Sequence, residues 1–284
     1  MKRFVKWNLS SRARQLSGGD ALVVSIPKSG RTWLRTFLCA YYCEKLGKPF
    51  TLEPEKFQGV PRIVYTHDLF EQRTKAGRWD RVRGKYLIPW RDRRRLPVVF
   101  LARDPRDAFV SHFIQLTRRT KETPEKLKRK SISELLRDRA FGIESIVEVM
   151  NGWLAEWRDR RNFLLLRYED LRHAPGPGFR QLLELLGEKE IDPEAFAQAL
   201  AFSDFRAMRA RESGGRFESK ILRAGDPADP ESFKVRRGRI GGFTDYLSVA
   251  DQAYAAAALE KLDRRFAYRG GKKTGKNNLP SLLG

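Results

Sequence analysis

Cysteine and histidine are scarce in this chain of 284 residues, which has two cysteines and three histidines. Cys39 and Cys43 lie four residues apart in a segment predicted to be helical, which favours core positions over a disulfide framework. His67, His112 and His173 are far apart in the sequence, and the carboxylates are scattered through charged segments. These patterns lack the spacing of metal ligands, so we expect no metal site.

Long apolar runs are also missing. No stretch approaches the roughly 20 apolar residues of a transmembrane helix, and the N-terminus lacks the apolar region of a signal peptide. We therefore expect a cytoplasmic protein. Hydrophobic residues make up 41% of the chain, with 18 Phe and 6 Trp, which is enough to build a substantial core. We expect one domain over residues 1–268 and a flexible basic tail over 269–284.

Apolar strands alternate with amphipathic helices along the chain. This alternation predicts an α/β fold in which helices flank a central parallel sheet. The predicted strands span residues 21–26, 62–66, 98–102 and 162–167, and the predicted helices span 32–46, 105–118, 143–160, 178–187 and 248–265. Polar segments rich in Arg, Lys, Gly or Pro are candidate lids and acceptor-site loops, at 71–96, 118–140 and 211–232.

The turn after the first strand has the composition of a phosphate site. Residues 27–33 read Pro-Lys-Ser-Gly-Arg-Thr-Trp and lead into a helix, whose first amides and dipole favour an anion. Gly30 allows close backbone approach, Lys28 brings a cation, and Ser29 and Thr32 offer hydroxyls. The segment lacks the first Gly and the Lys of G-x-x-x-x-G-K-[ST]. We therefore predict a P-loop-like strand-turn-helix site that is not a standard ATP or GTP site.

A second candidate anion site follows the third predicted strand. Arg103 lies at the carboxyl end of that strand, and Ser111 lies eight residues later, about two turns into the next helix. A guanidinium fork and a hydroxyl that reach one group suit a terminal phosphate monoester.

These two segments, in this order, resemble the cofactor motifs of the sulfotransferases that use 3′-phosphoadenosine 5′-phosphosulfate (PAPS). The resemblance extends over about residues 21–243. It implies that the first segment binds the 5′-phosphosulfate, and that Arg103 and Ser111 bind the 3′-phosphate. In the first segment, the resemblance assigns cofactor contacts to Lys28, Ser29, Gly30, Arg31, Thr32 and Trp33. Family members typically carry Thr where this chain has Arg31, and many have a second Lys at the position of Tyr65.

Three further segments resemble the rest of the family's cofactor site. Residues 233–243 are similar to its C-terminal Arg-Lys-Gly segment, residues 203–208 to its adenine-side segment, and residues 167–171 to the place of a Tyr near the adenosine. The resemblance thereby assigns cofactor contacts to Tyr168, Ser203, Phe205, Met208, Arg236, Arg237 and Gly238.

His67 is the candidate catalytic base. It follows the second predicted strand, and Thr66-His67 resembles the base motif of the family. The resemblance implies in-line transfer of a sulfuryl group from PAPS to an acceptor hydroxyl or amine, which leaves adenosine 3′,5′-bisphosphate (PAP). His67 would take the acceptor's proton, and Lys28 would stabilise charge on the leaving phosphate. No metal is needed for this reaction.

The formal net charge of +22 exceeds what one doubly phosphorylated cofactor requires. Basic runs at 2–14, 90–95 and 126–130 could contact an anionic membrane at its periphery or an acidic polysaccharide, and the acceptor could be a glycan, a lipid, or a small alcohol or phenol. Two alternatives are open. A nucleotide-dependent small-molecule kinase needs an acidic magnesium ligand, for which Asp68 and Asp104 are candidates. A binding protein for nucleic acid or anionic surfaces would explain the charge, but the chain has no nucleic-acid-recognition motif, so we expect no nucleic-acid partner.

Overall fold

A parallel sheet of four strands forms the centre of the protein. The computed structural model describes residues 18–75, 88, 90–120, 123–157, 160–213 and 238–269. The strands lie in the spatial order β2, β1, β3, β4, and all three neighbouring pairs are parallel. Their bounds are β1 Ala21–Ser25, β2 Ile63–Thr66, β3 Val98–Ala102 and β4 Phe163–Arg167. The predicted α/β fold with a central parallel sheet is confirmed.

Helices cover both faces of this sheet. They are α1 Arg31–Lys45, α2 Phe70–Lys75, α3 Trp90–Arg95, α4 Pro105–Ile114, α5 Glu125–Lys128, α6 Ile132–Leu136, α7 Ile143–Trp157, α8 Tyr168–His173, α9 Pro175–Leu185, α10 Pro193–Phe202, α11 Phe205–Ser213 and α12 Val249–Leu259. Among the described residues, no helix is long and apolar enough to cross a membrane. Of the predicted tail, only Arg269 is described.

Helix boundaries differ from the sequence-based prediction where local hydrogen bonds change the backbone. The helix predicted over 105–118 is α-helical only to Ile114 and continues as a π-helical turn over Gln115–Arg119. In that turn the Thr117 hydroxyl donates to the Phe113 carbonyl at 2.9 Å. α9 begins three residues early because Pro175 suits the first helical position. The helix predicted to 265 ends at Leu259, and a 3₁₀ turn capped by Asp263 follows. Short helices α2, α3, α5 and α6 lie in segments that we predicted as loops.

The central strands β1 and β3 are buried at every position, as expected for a sheet packed on both faces. Because successive side chains point to opposite faces, each strand contributes to two apolar clusters. On one face, Trp153 and Trp157 of α7 stack with ring centroids 4.2 Å apart. On the other, Phe37 of α1 stacks on Phe179 of α9 at 3.9 Å. Cys39 and Cys43 of α1 are buried free thiols, consistent with the predicted core positions.

A buried carboxylate, Asp251, joins α12 to α6. Its contacts indicate how the stability of the fold depends on pH. Its oxygens accept hydrogen bonds from the hydroxyls of Ser133 at 2.6 Å and Ser248 at 2.8 Å, and from Arg137 at 2.6 Å. These contacts, that of Ser133 foremost, lower the pKa of Asp251. A lowered pKa stabilises the fold above the carboxyl's unfolded pKa of about 4, and this contribution is lost as pH falls through the folded value.

We therefore expect Asp251→Asn to lower the free energy of unfolding by about 2 kcal/mol at neutral pH, because a charged acceptor is lost. The difference from wild type should shrink towards about pH 3, because below an unfolded pKa of about 4 the unfolded carboxyl takes up a proton before the folded one does. Urea unfolding followed by circular dichroism at pH 7 and pH 3 measures this difference in the free energy of unfolding. An equal difference at both pH values would contradict a lowered pKa of Asp251 in the folded protein.

Candidate functional site

A cleft of about 1330 Å³ opens beyond the carboxyl ends of the strands. Lys28 follows β1, His67 follows β2 and Arg103 follows β3, and all three line this cleft. Parallel neighbouring strands end at one edge of the sheet, which is why residues far apart in sequence meet here. Ser111 of α4 lines the same cleft. The structure thus brings together the two candidate anion sites and the candidate base.

The turn between β1 and α1 has the backbone of an anion cradle. Gly30 caps α1 with φ 94°, and a Cβ there would lie 2.8 Å from Cδ2 of Tyr168, so the position requires glycine. Lys28 has φ 70°, a left-handed conformation that costs a non-glycine residue about 1–2 kcal/mol. α1 begins at Arg31, one residue before the predicted start, so the amides of its first turn belong to this segment.

The side chains of this segment divide between the cleft and the turn itself. Lys28, Gly30, Arg31, Thr32 and Trp33 line the cleft. The Ser29 side chain is instead fully buried, and its hydroxyl donates to the Ile26 carbonyl at 3.1 Å. In this structure the Ser29 hydroxyl therefore stabilises the turn, and contact of Ser29 with the cofactor stays a prediction.

Arg103 is held at the floor of the cleft by the cradle and by an aromatic ring. Its Nη1 donates to the Lys28 carbonyl at 2.8 Å, and its guanidinium carbon lies 4.5 Å from the ring centroid of Tyr168. Its Nε is buried and has no hydrogen-bond partner among the described residues. A buried guanidinium donor that lacks an acceptor fits an anionic ligand. Burial raises the pKa of Tyr168, and the charge of Arg103 opposes that shift.

A half-buried glutamate joins the ends of β3 and β4 beside Arg103. Glu169, which follows β4, accepts the amide of Asp104 at 3.0 Å and the hydroxyl of Tyr268 at 2.6 Å. Burial raises the pKa of Glu169. Asp104 caps α4 and pairs with Arg106. The first turn of α4 is thus tied to β4 next to Arg103.

One ring nitrogen of His67 is engaged by the end of β1. Nδ1 lies 2.8 Å from the carbonyl oxygen of Ser25, and because a carbonyl only accepts, Nδ1 carries the proton in that contact. In the neutral ring, Nε2 then carries the lone pair and is the basic nitrogen. His67 is half-buried and lines the cleft. This geometry suits a general base with a defined orientation.

The other residues predicted to contact the cofactor are only partly brought together. Tyr168, Phe205, Met208 and Gly238 line the cleft, and a Cβ on Gly238 would lie 2.4 Å from the Phe205 ring. Ser203 does not line it, and its buried hydroxyl donates to the Ala199 carbonyl at 2.7 Å, one turn back in α10. Its contact with the cofactor stays a prediction. Arg236 and Arg237 lie outside the described residues.

Sequence reasoning missed Arg172. It lies four residues after Tyr168 in α8, hence on the same helical face, and it lines the cleft. Its guanidinium carbon lies 4.8 Å from the Phe205 ring centroid. The i, i+4 spacing from Tyr168 was a sequence pattern that could have identified it.

Further aromatic side chains line the cleft. The His112 ring lies 5.4 Å from that of Phe70 and 6.2 Å from that of Phe141. Phe243 and Tyr246 line the cleft as well. Tyr65, where many family members carry a Lys, instead packs under Arg35 at 5.4 Å and does not line this cleft. No group of three or more His, Cys, Asp or Glu among the described residues could hold a metal ion.

Comparisons with known proteins find similar sequences and similar structures. The family model for the sulfotransferase domain matches residues 85–266. Sulfotransferase 2B1 of Rattus norvegicus is 25% identical over 275 residues, which cover 87% of this chain and 73% of that protein. A 3-alpha-hydroxysteroid sulfotransferase of Cavia porcellus is 26% identical over 254 residues, 86% of this chain and 82% of that protein.

Solved structures share the fold. A mouse sulfotransferase, SULT7A1, complexed with PAP superposes with a TM-score of 0.61 at 17% identity, over 90% of this chain and 87% of that one. A retinol dehydratase in a complex with retinol and PAP superposes with a TM-score of 0.58 at 19% identity, over 89% of this chain and 82% of that one.

Proposed function

This chain belongs to the sulfotransferase domain family, and from that premise we propose that it transfers a sulfuryl group from PAPS to an acceptor hydroxyl or amine. One observation carries the proposal: Lys28, His67, Arg103 and Ser111 line one cleft at the carboxyl edge of the parallel sheet. When bound, PAPS would supply the sulfuryl group and depart as PAP.

Each residue has a role that its position supports. Arg103 and Ser111 would bind the 3′-phosphate, and the Arg103 Nε, which has no acceptor within the described part of the chain, fits such a ligand. Lys28 and the amides at the start of α1 would hold the phosphosulfate and stabilise charge on the leaving phosphate. Nε2 of His67 would accept the acceptor's proton as its oxygen or nitrogen bonds to sulfur.

The acceptor that this cleft supports best is a small alcohol or phenol. Relatives of the chain include a 3-alpha-hydroxysteroid sulfotransferase, and a structural neighbour contains retinol. Phe70, Phe141 and Phe243 line the cleft and offer an apolar surface for such an acceptor. Contact of the basic surface with a membrane or a polysaccharide stays a prediction, as does a cytoplasmic location.

The kinase alternative is not favoured, because the carboxylates that it needs are engaged. Asp68 is fully buried and accepts the amide of Ile88 at 2.9 Å. Asp104 caps α4 and pairs with Arg106 at 2.6 Å. Neither is placed as an accessible magnesium ligand.

Calorimetric titration with PAP, and separately with ATP with and without Mg²⁺, tests the proposal. We expect wild type to bind PAP without metal, and Arg103→Ala to bind it about 10–100-fold more weakly, since charge-assisted hydrogen bonds are lost. Arg95→Ala is the matched control, because Arg95 is an exposed residue of α3 outside the cleft. Preference for Mg-ATP over PAP would refute the proposal.

A further inference from the structure

Asp107, in the first turn of α4, is a buried carboxylate that the proposed reaction does not use. Its side chain lines the cleft, and the residue is only 4% exposed. Oδ2 accepts the amide of Gly241 at 2.7 Å, and Oδ1 accepts the amide of Phe243 at 2.9 Å. Burying a carboxylate is costly unless it is hydrogen-bonded, so these two amides are what makes its burial tolerable.

Both amides belong to one segment, residues 238–246, which we call the C-terminal turn. Gly241 has φ 75° and begins a 3₁₀ turn over Gly242–Asp245, a backbone conformation in which both amides reach one carboxylate. Arg106, the neighbour of Asp107, holds the same turn, since its guanidinium carbon lies 4.4 Å from the Phe243 ring centroid. Gly238, Phe243 and Tyr246 of the turn line the cleft.

The helix that holds this turn also carries a candidate phosphate contact. Ser111 lies one helical turn after Asp107 in α4, and Arg103 lies just before the start of that helix. The positive charge of Arg103 acts on Asp107 and opposes the rise in its pKa that burial causes. Asp107 therefore links the helix that carries the candidate phosphate contact Ser111 to the C-terminal turn.

We propose that Asp107 is a positioning residue that fixes the C-terminal turn to α4, so that a ligand bound by Arg103 and Ser111 also orders Phe243 on the acceptor side. The inference rests on the proposed function for the identity of that ligand. The anchoring contact itself is independent of it.

Hydrogen exchange followed by mass spectrometry tests the proposal on the full chain, with PAP as the probe. In wild type, we expect PAP to slow exchange both in α4 and in peptides that cover 241–247. In Asp107→Ala, exchange in 241–247 should rise about tenfold or more without ligand, because two hydrogen bonds to a charged acceptor are gone. PAP should then protect α4 but no longer the turn.

Two further variants separate positioning from a general loss of stability. Asp107→Asn should restore part of the PAP-dependent protection, since its carboxamide oxygen can still accept an amide. Asp251→Ala also removes a buried, hydrogen-bonded carboxylate, but on α12 and outside the cleft, so it should leave PAP-dependent protection of the turn intact.

Equal PAP-dependent protection of the turn in wild type and Asp107→Ala would overturn the inference. The inference would also be overturned if Asp251→Ala lost as much PAP-dependent protection of the turn as Asp107→Ala. Absence of PAP protection in wild-type α4 would instead refute the proposed function. In that case the exchange of 241–247 without ligand, compared between wild type and Asp107→Ala, still decides whether Asp107 anchors the turn.

Discussion

Replacing His67 by Asn should lower kcat by about 10²–10⁴-fold, the usual contribution of a positioned general base. The Asn side chain can still donate a hydrogen bond to the Ser25 carbonyl, which Nδ1 of His67 contacts at 2.8 Å. It has no atom equivalent to the basic Nε2. The substitution therefore removes proton transfer while it preserves the local contact. Steady-state rates of sulfuryl transfer from labelled PAPS to a simple phenol measure the effect.

The control for this variant is His173→Asn, because His173 is exposed at the end of α8 and does not line the cleft. It should retain the wild-type rate. The pH profile gives a second measurement: the acid limb of kcat/KM in wild type should disappear in His67→Asn, since the base that titrates is gone. Affinity for PAP should not change. A His67→Asn rate close to that of wild type would show that another group takes the proton.

The fold was largely predictable because its strands are short apolar runs with clear ends. β1 and β3 are buried on both faces, so their sequences are almost continuously apolar, and the predicted bounds differ by at most one residue. The helices were less predictable. α5 and α6 have four and five residues, too few for a helical periodicity to appear among polar neighbours. The capping box of Ser131 and Glu134 was the local pattern that marked α6.

The site was predictable where backbone position alone places a residue at the sheet edge, as for Lys28, His67 and Arg103. It was not predictable where a hydroxyl has a competing acceptor nearby. Ser29 and Ser203 each donate to a carbonyl three or four residues earlier, which no composition pattern distinguishes from a hydroxyl that faces a ligand. The contact of Asp107 with Gly241 depends on tertiary structure, because 134 residues separate them.

Replacing Lys28 by Met should lower kcat by about 10²–10³-fold, the range typical for losing a group that stabilises charge in the transition state. Met keeps the length of the side chain and an apolar stem but removes the positive charge next to the predicted leaving phosphate. Lys28 lines the cleft, and its backbone has φ 70°, a conformation stabilised in part by the hydrogen bond from Arg103 to its carbonyl. A costly backbone conformation at this position is consistent with a side chain that function requires.

Two comparisons make the Lys28 prediction specific to charge. Lys48→Met removes a Lys that is exposed beyond the end of α1 and outside the cleft, and it should retain the wild-type kcat. Lys28→Gly removes the same charge and also the left-handed strain, so it should lose as much activity as Lys28→Met without unfolding at a lower temperature. Equal activity loss with different stabilities would separate the catalytic cation from the backbone that holds it. If Lys28→Met instead kept its kcat and only weakened PAP binding, Lys28 would act in binding alone, and stabilisation of the leaving group would fall to Arg31 or to the amides at the start of α1.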